Sequence, residues 1–225
     1  MTTISVVSPV YRAAACVDEL YRRLDATLRA MPVDREIVLV EDGGGDGAAE
    51  AIARLAASDP HVVALLLGRN RGQHAAIAAG LAKATGDWVV VMDCDLQDRP
   101  EEIPRLFAAA MEQAAEVVVA RRLHRRQSRF RRLGARAWFA IVNRVGRGGL
   151  DPAFGAFSLI HRRVADAWLA SQRGSEPYLL VLHRLGLRWA TIDVDHGERF
   201  AGRSAYSLVR LARLAAGGIR TARNR

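Results

Sequence analysis

The chain has 225 residues, half of them apolar, enough for one sizeable core, so one domain with elaborations is the expected organisation. Its formal net charge of +9 rests on 32 arginines and one lysine, Lys83; arginine pairs bidentately with phosphate, which favours nucleic acid, anionic lipid or phosphorylated small molecules as partners. Cys16 and Cys94 have no metal-ligand spacing and give no disulfide framework, and neither a signal peptide at 1–17 nor an apolar run of roughly 18 residues is present, so a cytoplasmic protein, soluble or peripheral on the membrane's inner face, is expected.

Residues 4–10 read as a buried strand, and Val17, Leu20, Tyr21, Leu24 and Leu28 follow at helical spacing. Residues 36–40 form a second strand, then a glycine-rich turn leads into a helix over 46–57 with Asp46 as its N-cap. A third strand covers 61–67, and 73–84 is a helix of small residues suited to close packing. Strands over 87–92 and 116–120 flank a helix over 100–114. This alternation predicts an α/β fold whose sheet is mostly parallel, with right-handed crossovers and flanking helices.

Residues 121–136, RRLHRRQSRFRRLGAR, are strongly basic and run into Trp138, Phe139, Ile141 and Val142. That is the pattern of an amphipathic helix or loop lying near phosphate or an anionic membrane, or of a solvated basic face. Further on, a strand is expected over 157–160, short helices over 164–170 and 178–185, a strand over 188–194, a loop over 198–204 and a last helix over 206–221. The organisation is thus one domain, 1–225, with a nucleotide-binding half at 1–120 and an acceptor-side half with basic amphipathic helices at 121–225.

Open parallel sheets bind ligands beyond the carboxyl ends of their strands. The polar groups that fall there are Pro9 and Tyr11, Glu41 and Asp42, Arg69 and Asn70, Asp93 and Asp95, and Arg121 and Arg122. The strand over 87–92 runs straight into Asp93, Asp95 and Asp98. In an extended chain residues i and i+2 share a face, so Asp93 and Asp95 can aim two carboxylates at one point, with Gln97 as a further oxygen donor. Such a set suits Mg²⁺ or Mn²⁺, whose remaining positions go to phosphate oxygens and water. Asp98, just before Pro100, reads instead as a helix cap.

The EDGGGDG turn matches neither the dinucleotide fingerprint nor the P-loop. Glu41 and Asp42 would repel a phosphate and are better suited to accept hydrogen bonds from a base or ribose. His74 and His161 are lone histidines and read as structural, and the tryptophans as core or amphipathic surface. The loop with Arg199, Arg203 and Ser204 suits a diphosphate.

Together these segments resemble family 2 glycosyltransferases, and within them the dolichol-phosphate mannosyltransferase and bacterial polyprenyl-phosphate glycosyltransferase group. VVSPVYRAA is similar to that group's opening strand and IVLVEDGGGDGAAE to its second strand with paired acids. The block LGRNRGQHAAIAAGLAKATGDWVVVMDCDLQDRPEEIPRL is highly specific, and RFAGRSAYSLVRLARLAAGGI resembles the segment leading toward the membrane. The resemblance covers nearly the whole chain.

It implies a nucleotide-diphospho-sugar transferase (GT-A type) fold and an inverting, metal-dependent transfer of a sugar from a nucleotide-diphosphate sugar to a polyprenyl phosphate. It implies a donor held by Pro9, Tyr11, Glu41 and Asp42 around the base, with Asn70 beside them, a metal at Asp93, Asp95 and Gln97, and phosphate contacts from Arg121, Arg199, Arg203 and Ser204. Asp95 is then also a catalytic residue.

Three departures bear on the acceptor. The group's Gly-Asp-Phe-Arg-Leu stands here as Gly155-Ala156-Phe157-Ser158-Leu159, without the carboxylate sometimes credited as base. A lipid phosphate is already an anion and needs little base catalysis; for another acceptor, Asp151, ahead of Glu198 or His161, is the candidate base. Ser204-Ala205-Tyr206 replaces Ser-Lys-Tyr, and the transmembrane helices with which many relatives continue are not expected here. Two other readings follow: the same chemistry on a soluble small-molecule or saccharide acceptor, and a non-catalytic basic module binding nucleic acid or anionic membrane through 121–136. Acid-rich strand ends favour the enzyme and disfavour nucleic acid.

Overall fold

The computed structural model describes residues 1–123, 154–171 and 177–201. The chain divides into two compact units: Met1–His124 with Phe154–Gly202, described below, and Arg125–Ala153 with Arg203–Arg225, outside the described residues.

In chain order the elements are β1 (Thr3–Val10), α1 (Ala14–Arg29), β2 (Asp34–Glu41), α2 (Ala48–Ser58), β3 (Val62–Leu66), α3 (Gln73–Lys83) and β4 (Trp88–Val91). A 3₁₀ turn at Pro100–Glu102 leads into α4 (Ile103–Glu112), followed by β5 (Val117–Arg122), β6 (Phe154–His161), α5 (Arg162–Ser171), α6 (Tyr178–Arg184) and β7 (Trp189–Val194). The seven strands form one sheet in the order β3-β2-β1-β4-β6-β5-β7.

Alternation along each strand splits the apolar residues between two layers, as a two-sided sheet requires. On β1, Ile4, Val6 and Val10 join Leu20, Leu24, Ile52 and Leu106 on one side. Val7 faces the other way, with Ile77, Leu81, Trp168 and Tyr178. The small-residue helix α3 packs as closely as its sequence suggests: a Cβ at Gly80 would collide with the Val7 side chain.

One strand departs from the expected parallel arrangement. β6 lies antiparallel between β4 and β5, with Leu159 opposite both Val90 and Val118, while β5 pairs in parallel with β7. The carboxyl ends of the other six strands therefore share one edge with the start of β6, where Phe154 registers against Arg121. Residues beyond 120 thus complete the same sheet that carries the first half.

Asp46 does not cap the helix that follows it. Gly47, at φ 92°, is the α2 N-cap and no side chain caps that end. Asp46 Oδ2 instead accepts a hydrogen bond at 2.9 Å from the Ala14 amide, the first residue of α1, which has no capping side chain of its own. The glycine-rich turn carries the carboxylate to a neighbouring helix, where it serves the same electrostatic purpose.

Candidate active site

β4 ends at Val91 and the chain then turns, with Leu96 in the left-handed region at φ 61°. Asp93 and Asp95 therefore follow the strand, and their carboxylates meet different partners. Asp93 Oδ1 accepts from Gln73 Nε2 at 2.6 Å, and Oδ2 stands 3.8 Å from Arg122 Nη2. Burial, and next the Asp98 charge, raise the Asp93 carboxyl to about 6, although solvent still reaches 31% of its side chain. Asp95 is buried; its Oδ1 accepts from the Gln97 amide at 3.1 Å and its Oδ2 pairs with Arg199 Nη2 at 2.8 Å.

Gln97 ties this turn to the loop after β7. Its carboxamide donates to Gly197 O at 3.3 Å and accepts from Arg199 Nη2 at 3.4 Å, while its backbone carbonyl accepts from the Gly197 amide at 2.9 Å. The Phe200 amide donates to the Asp95 carbonyl at 3.1 Å. The segment around Arg199 is thereby held against the acidic turn.

Asp98 does not cap the helix that follows Pro100. The 3₁₀ turn has Arg99 at its N-cap, without a side-chain cap. Asp98 is fully buried and accepts from Arg122 Nε and Nη2 at 3.0 and 2.5 Å, with His196 Nδ1 at 3.4 Å. Burial opposes its ionisation, but His196 and Arg122 outweigh that and hold its carboxyl below the usual range. Burial likewise opposes the Arg122 charge, and Asp98 more than compensates.

Arg121, the residue expected at the phosphates, points elsewhere: it pairs with Asp193 on β7 through Nε and Nη2 at 2.6 and 2.9 Å, on the surface. Adjacent strand residues face opposite ways, so the inward place falls to Arg122. The run of two arginines at the strand end carried that signal without its phase.

At the other end of the edge, Glu41 lines a cleft of about 320 Å³ with Gly43, Gly45, Gly47, Ala49, Glu50 and Gly68. Its Oε1 accepts from the Gly44 amide at 2.5 Å. Asp42 uses both oxygens on the next loop, accepting from the Arg71 and Gly72 amides at 2.6 and 2.9 Å. It fixes the entry to α3, and each oxygen keeps a further lone pair. Gly43, at φ 68°, lets that loop close, since a Cβ there would overlap the Arg69–Asn70 peptide. Asn70 is exposed beside it, and Pro9 and Tyr11, both half-buried, end β1 between the cleft and the acidic turn. Tyr11 lies under the Arg12 guanidinium at 5.4 Å, and its backbone meets the Cys94 thiol.

The fold thus brings Pro9, Tyr11, Glu41, Asp42, Asn70, Asp93, Asp95, Gln97 and Arg199 to one edge and adds Gln73 and Arg122. Asp151, Arg203 and Ser204 lie outside the described residues, as do most of the basic run at 121–136 and the whole of 206–221. Among the described residues no group of three His, Cys, Asp or Glu side chains could hold a metal ion alone. Asp93 and Asp95 nevertheless offer hard oxygens two residues apart, each countered by an arginine. That fits Mg²⁺ or Mn²⁺ completed by a ligand's phosphate oxygens, the usual habit of these ions. No helix among the described residues is long and apolar enough to cross a membrane.

Residues 5–169 match the model of the family described as Glycosyl transferase family 2. The chain is 38% identical over 216 residues to an undecaprenyl-phosphate 4-deoxy-4-formamido-L-arabinose transferase of Klebsiella pneumoniae subsp. pneumoniae, covering 94% of this chain and 64% of that one. It is 42% identical over 214 residues to the protein of the same name from Erwinia tasmaniensis, covering 94% and 65%. The chain therefore spans a little under two thirds of the length of these relatives. Among solved structures it resembles glucosyl-3-phosphoglycerate synthase from Mycobacterium tuberculosis in complex with Mn²⁺, UDP and glucosyl-3-phosphoglycerate, with a TM-score of 0.70, 19% identity and 98% and 80% coverage. Mannosyl-3-phosphoglycerate synthase from Rubrobacter xylanophilus gives a TM-score of 0.64 at 20% identity, covering 98% and 73%. These two likenesses concern the fold, which is the GT-A architecture expected from the sequence.

Proposed function

The chain belongs to glycosyl transferase family 2, and from that premise we propose that it moves a sugar from a nucleotide-diphosphate sugar to a polyprenyl phosphate, with inversion at the anomeric carbon. The observation that carries this reading is the gathering of Asp93, Asp95, Arg122 and Arg199 at the strand edge that also holds the Glu41 cleft. A nucleoside seated at Glu41 would direct its diphosphate toward the two aspartates. The names of the relatives support the acceptor class.

Asp93 and Asp95 are the residues that would hold Mg²⁺ or Mn²⁺, with Gln97 next to them. When bound, the ion supplies charge neutralisation at the leaving diphosphate. Arg122 and Arg199 add donors preorganised at the same place, where they are worth most as charge builds on the leaving group. Gln73 orients Asp93, and the Gln97 amide orients Asp95.

Ala156 occupies the position where a carboxylate base is expected, on β6. A phosphate acceptor is an anion at neutral pH and attacks in line without losing a proton, which removes the need for that carboxylate. This is why a lipid phosphate suits the site better than a hydroxyl acceptor. Such an acceptor resides in a membrane, so the reading also entails peripheral contact with the inner leaflet, for which the arginine-rich run at 121–136 has suitable charge.

The test is transfer from a panel of nucleotide-diphosphate sugars to undecaprenyl phosphate in detergent, with Mn²⁺, Mg²⁺ or chelator, read by mass spectrometry of the lipid. Metal-dependent formation of a lipid-phosphate sugar, lost in Asp95→Asn, is expected. Transfer only to water-soluble acceptors would overturn the acceptor class.

A further inference from the structure

The Arg122 guanidinium is fixed from two sides. Below it, Asp98, fully buried, takes Nε and Nη2 in a fork at 3.0 and 2.5 Å. Beside it stands Gly155 on β6, where a Cβ would fall within the space of the guanidinium carbon and nitrogens. Only 8% of the Arg122 side chain is exposed, and Nη2 faces Asp93 at 3.8 Å. Among the described residues no hydrogen bond is made by Nη1.

A buried ion pair is weak evidence for stability, because desolvation offsets most of the Coulomb gain. This one has a further geometric effect. The fork selects one rotamer of a long side chain, and the missing side chain at Gly155 provides the space for it. The result is a cation at the acidic turn whose position is set before any ligand arrives.

We propose that Asp98 and Gly155 are positioning residues whose shared task is to hold Arg122 for the donor phosphate farther from the nucleoside. This inference rests on the donor reading given above. The assignment to the distal phosphate follows from sheet order. The Glu41 cleft lies at β2, and Arg122 on β5 is four strands along, about 19 Å at roughly 4.8 Å per strand, reaching back toward Asp93. A ligand with its nucleoside at the cleft would present its second phosphate, not its first, to that end.

The experiment is calorimetric titration of the full chain and its variants with UDP, UMP and inorganic pyrophosphate, each with Mn²⁺. Arg122→Lys, Asp98→Asn and Gly155→Ala should each weaken UDP and pyrophosphate by about tenfold or more while changing UMP by less than about threefold, a loss the size of one charge-assisted hydrogen bond. Gly155→Ala alters no charge, so it carries the test if Asp98→Asn folds poorly. The double variant Asp98→Asn/Arg122→Lys should bind UDP no worse than the weaker single variant, because both act through one group.

Equal loss of UDP and UMP binding, or lowered thermal stability with unchanged UDP affinity, would make Asp98 and Gly155 structural only and overturn the inference. A defect confined to KM for undecaprenyl phosphate would also overturn it, by placing Arg122 at the acceptor. Wild type that binds neither pyrophosphate nor any of UDP, GDP, ADP and CDP would overturn the donor reading and this inference together, and the diphosphate that does bind, with its monophosphate, takes the place of UDP and UMP in the comparison.

Discussion

Arg199 Nη2 lies 2.8 Å from Asp95 Oδ2, one of the two carboxylates proposed to hold a divalent ion. The guanidinium occupies the position of a competing cation and anchors its loop to the acidic turn. If Asp95 were to hold a divalent ion as proposed, the Arg199 guanidinium would be its electrostatic competitor there and, once displaced, would be a donor available to phosphate.

Arg199→Ala should therefore have opposite effects on two ligands. Mn²⁺ alone, titrated against tryptophan fluorescence or by electron paramagnetic resonance, should bind several-fold tighter, because a competing positive charge has gone. UDP in the presence of Mn²⁺ should bind about tenfold more weakly, the loss of one charge-assisted contact. Weakening of both would mean that Arg199 supports Asp95 structurally instead of competing at it.

Asp93 makes the site pH-dependent. Its carboxyl is raised to about 6 by burial and by Asp98, so Mn²⁺-dependent UDP binding should be full above pH 7 and fall about tenfold per unit well below 6, as the proton replaces the ion. For folding the sign is opposite to that of a paired carboxylate. The folded protein holds this proton more tightly than the unfolded chain, so ionised Asp93 destabilises above pH 6, and the penalty disappears below the unfolded value near 4. Asp93→Asn should melt higher than wild type at pH 7.5, lose that advantage at pH 4, and have no turnover. A variant less stable than wild type at pH 7.5 would refute the assignment of burial as the cause.

Asp59, at the C-cap of α2 just before β3, shows the ordinary sign. Burial works against its charge, but the His61 amide and ring and the Tyr21 hydroxyl overcome it and bring the carboxyl down to about 2. The shift corresponds to roughly 2 kcal/mol of stability. That contribution is present above the unfolded value near 4 and lost as pH falls through 2. Denaturant titrations of Asp59→Asn should show a deficit of about that size at pH 7, and a much smaller one near pH 2.

The sequence disclosed the parts of this molecule that depend on local pattern and left open those that depend on direction or phase. The apolar runs of β1 to β5 and the stripe on α1 are readable because period and burial coincide there. A strand was readable over 157–160, the later part of β6, but nothing in GAFSLI states that it runs antiparallel between β4 and β5. Direction is a property of the connection, and that connection lies outside the described residues. The edge that carries the candidate site was legible as a set of strand ends. The choice between Arg121 and Arg122 was not, because a shift of one residue exchanges the two faces. Asp46 and Asp98 carry carboxylates used within the fold, on partners 32 and 24 residues away rather than on the helix that follows each. Local turn chemistry assigns such acids to the nearest helix, and only tertiary structure corrects it.

Asp46 offers a direct test of that correction. If it caps α1 from across the turn, Asp46→Ala should cost about 1 kcal/mol in denaturant unfolding, and Asp46→Asn appreciably less, since the amide oxygen can still accept from Ala14. Hydrogen exchange should quicken at the first turn of α1 and stay unchanged at the first turn of α2. Protection lost at α2 instead would restore the local reading.

Gly80 separates helix propensity from packing. An alanine in a helix interior normally gains about 1 kcal/mol over glycine. Here the added methyl would meet Val7 Cγ1 within contact distance and Val40 Cγ2 at 3.0 Å, both on strands with 0% exposure in a layer that cannot yield without moving the sheet. Overpacking of that kind costs typically about 1–3 kcal/mol, so the packing term should win and Gly80→Ala should unfold at lower denaturant than wild type. Enlarging the room by Val7→Ala in the same chain should recover part of the loss, making the pair non-additive. The expected loss also reaches function: β1 ends at Val10, between Pro9 and Tyr11 at the edge that carries the candidate site, so a displaced Val7 should shift that edge. UDP affinity of Gly80→Ala should fall with its stability and return with Val7→Ala. A Gly80→Ala protein more stable than wild type would mean that α3 moves away from the sheet readily, and that the close approach seen at this helix does not hold the candidate site's edge in place.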